Sequence, residues 1–212
     1  MTNPLKPAVA ASVTIAGIVA LLSVAGCTIG GKATVNPQTV EGTQTVCASC
    51  HGSDGRGVST TFPRLAGQQA EYIVAQLKAF RDKSRADPHA HTYMWGMAAK
   101  LTDETIAGLA ASYSAMPPAP GEAGDPALMA AGAKIFAEGV PARDVPACAA
   151  CHGDKAEGAG AIPRLAAQQS GYIERQLAAF ASNARANETM HDNSKNLKPD
   201  EAAAIAAYVG SL

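Results

Sequence analysis

The chain has 212 residues, with 17 basic and 18 acidic side chains and a net charge of −1 at pH 7. This length suits one or two domains, and the balanced charge predicts no nucleic-acid partner. Hydrophobic residues make up 47% of the sequence, but aromatic residues only 5%. Because strand-forming runs are also scarce, the composition predicts short helices and an all-α fold.

The first 26 residues predict an export signal. Lys6 precedes an apolar stretch over residues 8–25, and Gly26 and Cys27 follow it. The segment resembles a bacterial lipoprotein signal, in which the cysteine becomes the lipidated first residue of the mature chain. An uncleaved membrane helix or an ordinary signal is the alternative, although the apolar run is short for crossing a bilayer. We expect residues 1–26 to be removed and Cys27 to carry lipid in the periplasm.

The string Cys-x-x-Cys-His occurs twice, at residues 47–51 and 148–152. Its spacing lets two thiols add across the vinyl groups of one haem while the adjoining histidine reaches the iron. A zinc ribbon would place its second cysteine pair roughly 15 to 20 residues after the first, and a thioredoxin-like site would need flanking strands. Neither condition is met. The sequence therefore predicts two covalent c-type haems, attached at Cys47, Cys50, Cys148 and Cys151, with His51 and His152 as iron ligands.

A second repeated segment follows each haem string. Residues 62–69 read Phe-Pro-Arg-Leu-Ala-Gly-Gln-Gln, and residues 162–169 read Ile-Pro-Arg-Leu-Ala-Ala-Gln-Gln. Apolar residues continue at helical spacing beyond both copies, which predicts an amphipathic helix covering each haem. Pro63 and Pro163 offer a carbonyl but no competing N–H, so each is either the acceptor for a ligand histidine or a simple turn residue.

The other axial ligand of each iron must come from later in the same half. Met190 is the only methionine after the second haem string, whereas the first half offers Met94 and Met97. Met94 and Met190 lie at the same distance before Leu101 and Leu197, where the last helices are predicted to start. We therefore expect Met94 and Met190 to be axial ligands and Met97 to be a packing residue.

Three histidines compete with these methionines, and two histidines on one iron would give a lower potential than His/Met ligation. They do not occupy equivalent positions in the two halves, which favours the methionines. The three are His89, His91 and His191.

Each half ends with a predicted helix, over residues 102–114 and 198–210. Acidic residues lie in the first turn of both, where the positive end of the helix dipole favours them. Between the halves, residues 116–124 are rich in proline and glycine and cannot continue a helix. The predicted domains are therefore residues 33–115 and 125–212.

Together these motifs resemble the class I cytochromes c, and specifically the two-domain dihaem group called cytochrome c4, over about residues 41–212. The resemblance implies two tandem cytochrome c domains, each wrapped around a covalent haem. It also implies that the first methionine of the Met94-x-x-Met97 pair is the ligand, and that the two prolines accept hydrogen bonds from the ligand histidines.

The two halves differ in one feature of that family. Its domains usually open with a helix carrying Gly-x-x-x-aromatic, which crosses the last helix. The second half has this pattern from Gly132 to Phe136, whereas the first half offers Gly42 and no aromatic residue. We expect the opening helix of the first half to be shortened or loosely packed.

A six-coordinate His/Met iron leaves no open position for a substrate, which predicts an electron carrier that is not an enzyme. The resemblance implies transfer from a quinol-oxidising complex to a terminal oxidase. The alternative is the cytochrome subunit of a periplasmic dehydrogenase, such as a flavocytochrome that oxidises reduced sulfur compounds. A dihaem enzyme would need an open iron or a cysteine ligand, and all five cysteines already have an assignment.

Overall fold

The computed structural model describes residues 1–2 and 39–212. The expected signal peptide and Cys27 lie outside the described residues. Residues 39–212 belong to one compact unit and are helical, with two isolated β-bridges as their only strand-like pairings. The predicted all-α fold is confirmed. In the described part of the chain, no helix is both long enough and apolar enough to cross a membrane.

The first half is built from four α-helices and a π-helical turn. They are α1 (Val40–His51), α2 (Ala70–Arg81), the π-helical turn Ala90–Met94, which runs into α3 (Trp95–Ala98), and α4 (Asp103–Ala115). Thr102 caps α4, since its hydroxyl accepts a hydrogen bond from the Thr105 N–H at 3.2 Å.

The second half repeats this order with an added helix at its start. Its helices are α5 (Pro126–Glu138), the 3-10 turn Pro141–Arg143, α6 (Ala149–His152), α7 (Ser170–Ala181), α8 (Glu188–Ser194) and α9 (Pro199–Ser211). Asp125 caps α5 by accepting hydrogen bonds from the N–H groups of Ala127 and Leu128. Pro126, which has no N–H to satisfy, occupies the first turn.

The predicted closing helices and the non-helical segment between the halves are confirmed. Helices α4 and α9 begin and end one residue later than the sequence predicts, and no helix interrupts residues 116–125. The apolar stripe of α4 is buried at Ile106, Leu109 and Tyr113. Burial of each such side chain contributes about 1.5–3 kcal/mol, so packing holds these helices in place.

Each half has a buried phenylalanine on an equivalent helix, Phe80 or Phe180, but a second buried aromatic ring comes from different helices in the two halves. In the second half Phe136 of α5 and Val209 of α9 belong to the same buried core cluster. Val209 corresponds to Tyr113 of α4, because their carbonyls accept hydrogen bonds from the equivalent residues Ala167 and Gly67. Helix α1 carries no aromatic residue at the place of Phe136, and the closing helix of the first half supplies a ring instead.

Candidate haem sites

Each Cys-x-x-Cys-His string lies at the C-terminal end of a helix. Helix α1 ends at His51 and α6 ends at His152, and glycine follows both. These glycines, Gly52 and Gly153, have φ of 82° and 81°, in the left-handed region that favours glycine. The helix therefore stops directly after the histidine, and the chain turns back over its ring.

Both histidines of the strings are buried and hydrogen-bonded to proline. The Nδ1 of His51 lies 2.9 Å from the carbonyl oxygen of Pro63, and the Nδ1 of His152 lies 3.0 Å from that of Pro163. A carbonyl can only accept, so Nδ1–H donates and Nε2 keeps its lone pair. The expectation that the prolines act as acceptors is confirmed.

The histidines are also held in the neutral form. Burial lowers the pKa of His51 and His152 below the ordinary value for histidine, and the hydrogen bonds to Pro63 and Pro163 offset this only in part. A neutral ring with a free Nε2 is the form that binds a metal.

The environment of the cysteines favours neutral sulfur. All four cysteines in residues 39–212 are free of disulfide bonds. Burial raises the pKa of the Cys47 thiol, and it raises that of Cys148 to about 11. A thioether is neutral, whereas zinc binds the thiolate. Within the described residues, no three His, Cys, Asp or Glu side chains lie together as a metal site would need.

The two expected methionine ligands lie at comparable places in their halves. Met94 ends the π-helical turn, is half-buried and packs on the cluster formed by Phe80, Ala90 and Ala98. Met190 is half-buried in α8, where its N–H is accepted by the side chain of Asn187 at 2.9 Å. The side chain of Met97 is 58% exposed, so it adds little to the protein core.

The competing histidines all contact other protein groups. His191 is hydrogen-bonded through Nδ1 to the Phe180 carbonyl at 2.9 Å. The His91 ring packs edge-on against Trp95, with the ring centres 4.5 Å apart, and His89 packs in the same way against Tyr93 at 5.8 Å. Each of these three rings therefore has a neighbour within its own half.

A buried polar atom beside Cys47 tests whether the first site fits a haem. Tyr113 is 2% exposed, and its hydroxyl oxygen makes no hydrogen bond of normal geometry with the described residues. Its polar neighbour is the sulfur of Cys47. An unpaired buried hydroxyl costs about 1–3 kcal/mol. This arrangement fits a site that is completed by a group attached at Cys47.

Comparison with known proteins gives the family. The cytochrome c family model matches residues 41–111 and 129–212. Cytochrome c4 of Thiocapsa roseopersicina is 39% identical over 174 residues, which cover 79% of this chain and 87% of that relative. A solved structure of Acidithiobacillus ferrooxidans cytochrome c4 matches with a TM-score of 0.76 and 41% identity, covering 79% of this chain and 99% of that one.

This chain belongs to the cytochrome c4 family. It is a class I cytochrome c with two tandem domains and two covalently bound haems c, and it transfers electrons. The cysteine spacing at residues 47–50 and 148–151 fits the two attachments. The chain also resembles a protein named thiosulfate dehydrogenase electron acceptor from Stutzerimonas stutzeri, with 37% identity covering 78% of both chains.

The two cytochrome domains of this family member meet through reciprocal hydrogen bonds. The Arg64 N–H donates to the side-chain oxygen of Gln168 at 2.8 Å, and the amide of Gln168 donates to the Arg64 carbonyl at 2.9 Å. Arg164 and Gln68 make the same two bonds in the other direction, at 2.8 Å and 3.0 Å. The repeated Pro-Arg-Leu-Ala segment therefore also forms the domain interface.

A buried ionic cluster lies at the same interface. Arg85 pairs with Asp87 at 2.7 Å and donates to Gln176 of the other half at 2.8 Å. Arg185 donates to Gln76 of the first half at 2.7 Å, but the residue equivalent to Asp87 is Asn187. The motifs and apolar patterns of the sequence did not predict this cluster, although Arg and Gln recur at equivalent positions in the two halves.

Proposed function

We propose that this protein is a membrane-attached periplasmic carrier, which takes electrons from a quinol-oxidising complex and passes them to a terminal oxidase or a similar acceptor. The observation that carries the proposal is one arrangement present in both halves. A buried neutral histidine follows two cysteines, a proline carbonyl holds its Nδ1, and a methionine lies later in the same half. With protein side chains at both axial positions, no position would remain for a substrate, which supports a carrier over an enzyme.

Each half contributes two attachment cysteines and two axial side chains to this proposal. Haem supplies one-electron chemistry when bound. The first set is Cys47, Cys50, His51 and Met94, and the second set is Cys148, Cys151, His152 and Met190. The proline carbonyls orient the imidazole rings, and methionine ligation favours a high potential, which suits a late carrier in a respiratory chain.

A spectroscopic redox titration of the purified protein tests the carrier proposal. We expect two one-electron steps at high potential, with both haems low-spin, because each iron would have a histidine and a methionine ligand. A step at low potential, or a high-spin spectrum in either half, would contradict the proposed ligands and the carrier function with them.

We also propose the domain limits and the anchor. Residues 1–26 act as a lipoprotein signal, residues 33–115 and 125–212 are the domains, and residues 116–124 link them. Lipid on Cys27 would hold the protein at the membrane, with affinity that grows with each buried acyl CH₂. Cys27→Ser is expected to move the protein from the membrane fraction to the soluble periplasmic fraction with its haem absorption unchanged. An unaltered distribution would contradict the anchor.

A second candidate function is that of electron acceptor for a periplasmic dehydrogenase that oxidises a sulfur compound. The similarity to a thiosulfate dehydrogenase electron acceptor favours it. The two functions differ in the electron donor. If this second function is correct, a thiosulfate dehydrogenase with thiosulfate should reduce the oxidised protein faster than a quinol-oxidising complex with quinol does. Faster reduction by the quinol-oxidising complex would support the respiratory carrier.

A further inference from the structure

One peptide group in each half makes contacts on both sides. The Pro63 carbonyl accepts the hydrogen bond from His51, and the N–H of the same peptide, which belongs to Arg64, donates to Gln168 of the other half. The peptide between Pro163 and Arg164 joins His152 to Gln68 in the same way. Because a peptide group is planar and rigid, each histidine is linked to the opposite half through a single unit.

The glutamines are held firmly enough to position that peptide. Gln68 and Gln168 are 7% and 6% exposed. The side-chain oxygen of each also accepts the N–H of the following residue, Gln69 or Gln169, at 3.0 Å. The side-chain nitrogen of each donates to an arginine carbonyl of the opposite half. Both ends of each amide are therefore fixed.

Hydrogen bonds in a chain polarise one another. A glutamine oxygen that accepts the arginine N–H makes the carbonyl of that peptide more negative, and so a stronger acceptor for the histidine Nδ1–H. A stronger acceptor at Nδ1 fixes the ring and makes the other ring nitrogen more basic. The effect passes from a side chain in one half to a histidine in the other.

We propose that Gln68 and Gln168 are positioning residues that act crosswise, each setting the orientation and donor strength of the histidine in the opposite half. Gln168 acts on His51 through the Pro63–Arg64 peptide, and Gln68 acts on His152 through the Pro163–Arg164 peptide. The inference rests on the proposed ligation by these histidines. The domain interface would thereby affect the reduction potentials of both haems.

The test compares Gln68→Leu with wild type in a redox titration that is monitored by NMR. The hyperfine-shifted haem methyl resonances report each haem separately, and their pattern reports the plane of the axial imidazole. We expect Gln68→Leu to raise the potential and change the methyl pattern of the second-half haem while the first-half haem stays as in wild type. Gln168→Leu should raise the potential and change the methyl pattern of the first-half haem and leave the second-half haem as in wild type. Gln68→Glu keeps the accepting oxygen but loses the donor to the Arg164 carbonyl, so it should bring the potential of the second-half haem back below that of Gln68→Leu.

Gln69→Leu is the matched control. The Gln69 side chain also donates across the interface, to the Glu157 carbonyl at 2.9 Å, but it does not touch either proline-arginine peptide. It should leave both haems as in wild type. Equal shifts at both haems in Gln68→Leu, or the same shift in Gln69→Leu, would overturn the inference. Failure of the proposed function would appear separately, as a low-potential or high-spin haem in the wild type.

Discussion

Met94→Ala is expected to remove about half of the sulfur-to-iron charge-transfer absorption of the oxidised protein, because under the proposed ligation one of two equivalent methionine ligands would be lost. Adding Met190→Ala should remove the rest. Both side chains are half-buried and lie at matching places in the two halves. Met94 ends the π-helical turn, and Met190 lies in α8. Near-infrared absorption of the oxidised protein measures the change, and the loss should be accompanied by a fall in the potential of the affected haem.

Met97→Ala is the matched control for this experiment. Met97 lies three positions after Met94, is 58% exposed and should leave the band at full strength. If Met97→Ala removed half of the band and Met94→Ala left it intact, the ligand assignment would be wrong. If neither did, a histidine such as His89 would have to take the position.

Gly132→Ala is expected to cost about 1–3 kcal/mol or more of unfolding free energy, since it forces a methyl group into a packed helix crossing. A Cβ at Gly132 would lie 1.9 Å from the carbonyl oxygen of Ala204 and 2.9 Å from the Cβ of Tyr208. The backbone of α9 cannot rotate away as a side chain can, so α5 and α9 must separate. Denaturant unfolding of the holoprotein, monitored by circular dichroism, measures the loss.

Two other glycines provide a graded comparison. At Gly108 a Cβ would meet the Val40 side chain at 2.4 Å, which can shift at lower cost than backbone. At Gly96 it would meet nothing within 4 Å, so Gly96→Ala should stabilise α3 by roughly 0.5–1 kcal/mol through helix propensity. The expected order of stability is Gly96→Ala above Gly108→Ala above Gly132→Ala. Equal stability of the first and last variants would contradict the close crossing.

Local patterns were enough to predict the two haem attachments, the closing helices and the non-helical segment between the halves. The strings have fixed spacing, and the stripe of Ile106, Leu109 and Tyr113 has helical periodicity, so neither depends on distant parts of the chain. The proline acceptors needed the family resemblance, because a turn proline looks the same in sequence. The exchange of the buried aromatic from α5 to α4 could not be predicted, since periodicity identifies a buried face but not the helix that it packs against.

The contacts of the domain interface could not be predicted from the sequence, for a different reason. Gln68, Gln76 and Arg85 are polar residues on or next to helices, and in isolation such residues suggest a solvated face. Gln68 and Arg85 are nevertheless buried and Gln76 is half-buried, and all three make hydrogen bonds to the opposite half. A repeat aligned on its polar residues, as well as on its apolar ones, would have marked these positions as equivalent, though not as contacts.

The ionic cluster at the interface makes the contact between the halves sensitive to low pH. Burial would raise the pKa of Asp87, but Arg85 and, more weakly, Arg185 lower it below its ordinary value. A carboxyl with a lowered pKa stabilises the folded state at pH values above its unfolded pKa of about 3.9, and it loses that contribution as the pH falls through the folded value. Protonation would then leave two buried guanidinium groups with no carboxylate between them in the described structure. The second half cannot compensate, because Asn187 carries no charge. Acid should therefore loosen the junction between the halves while the haem-anchored core of each is still folded, and small-angle X-ray scattering across falling pH would show this as expansion without loss of helix.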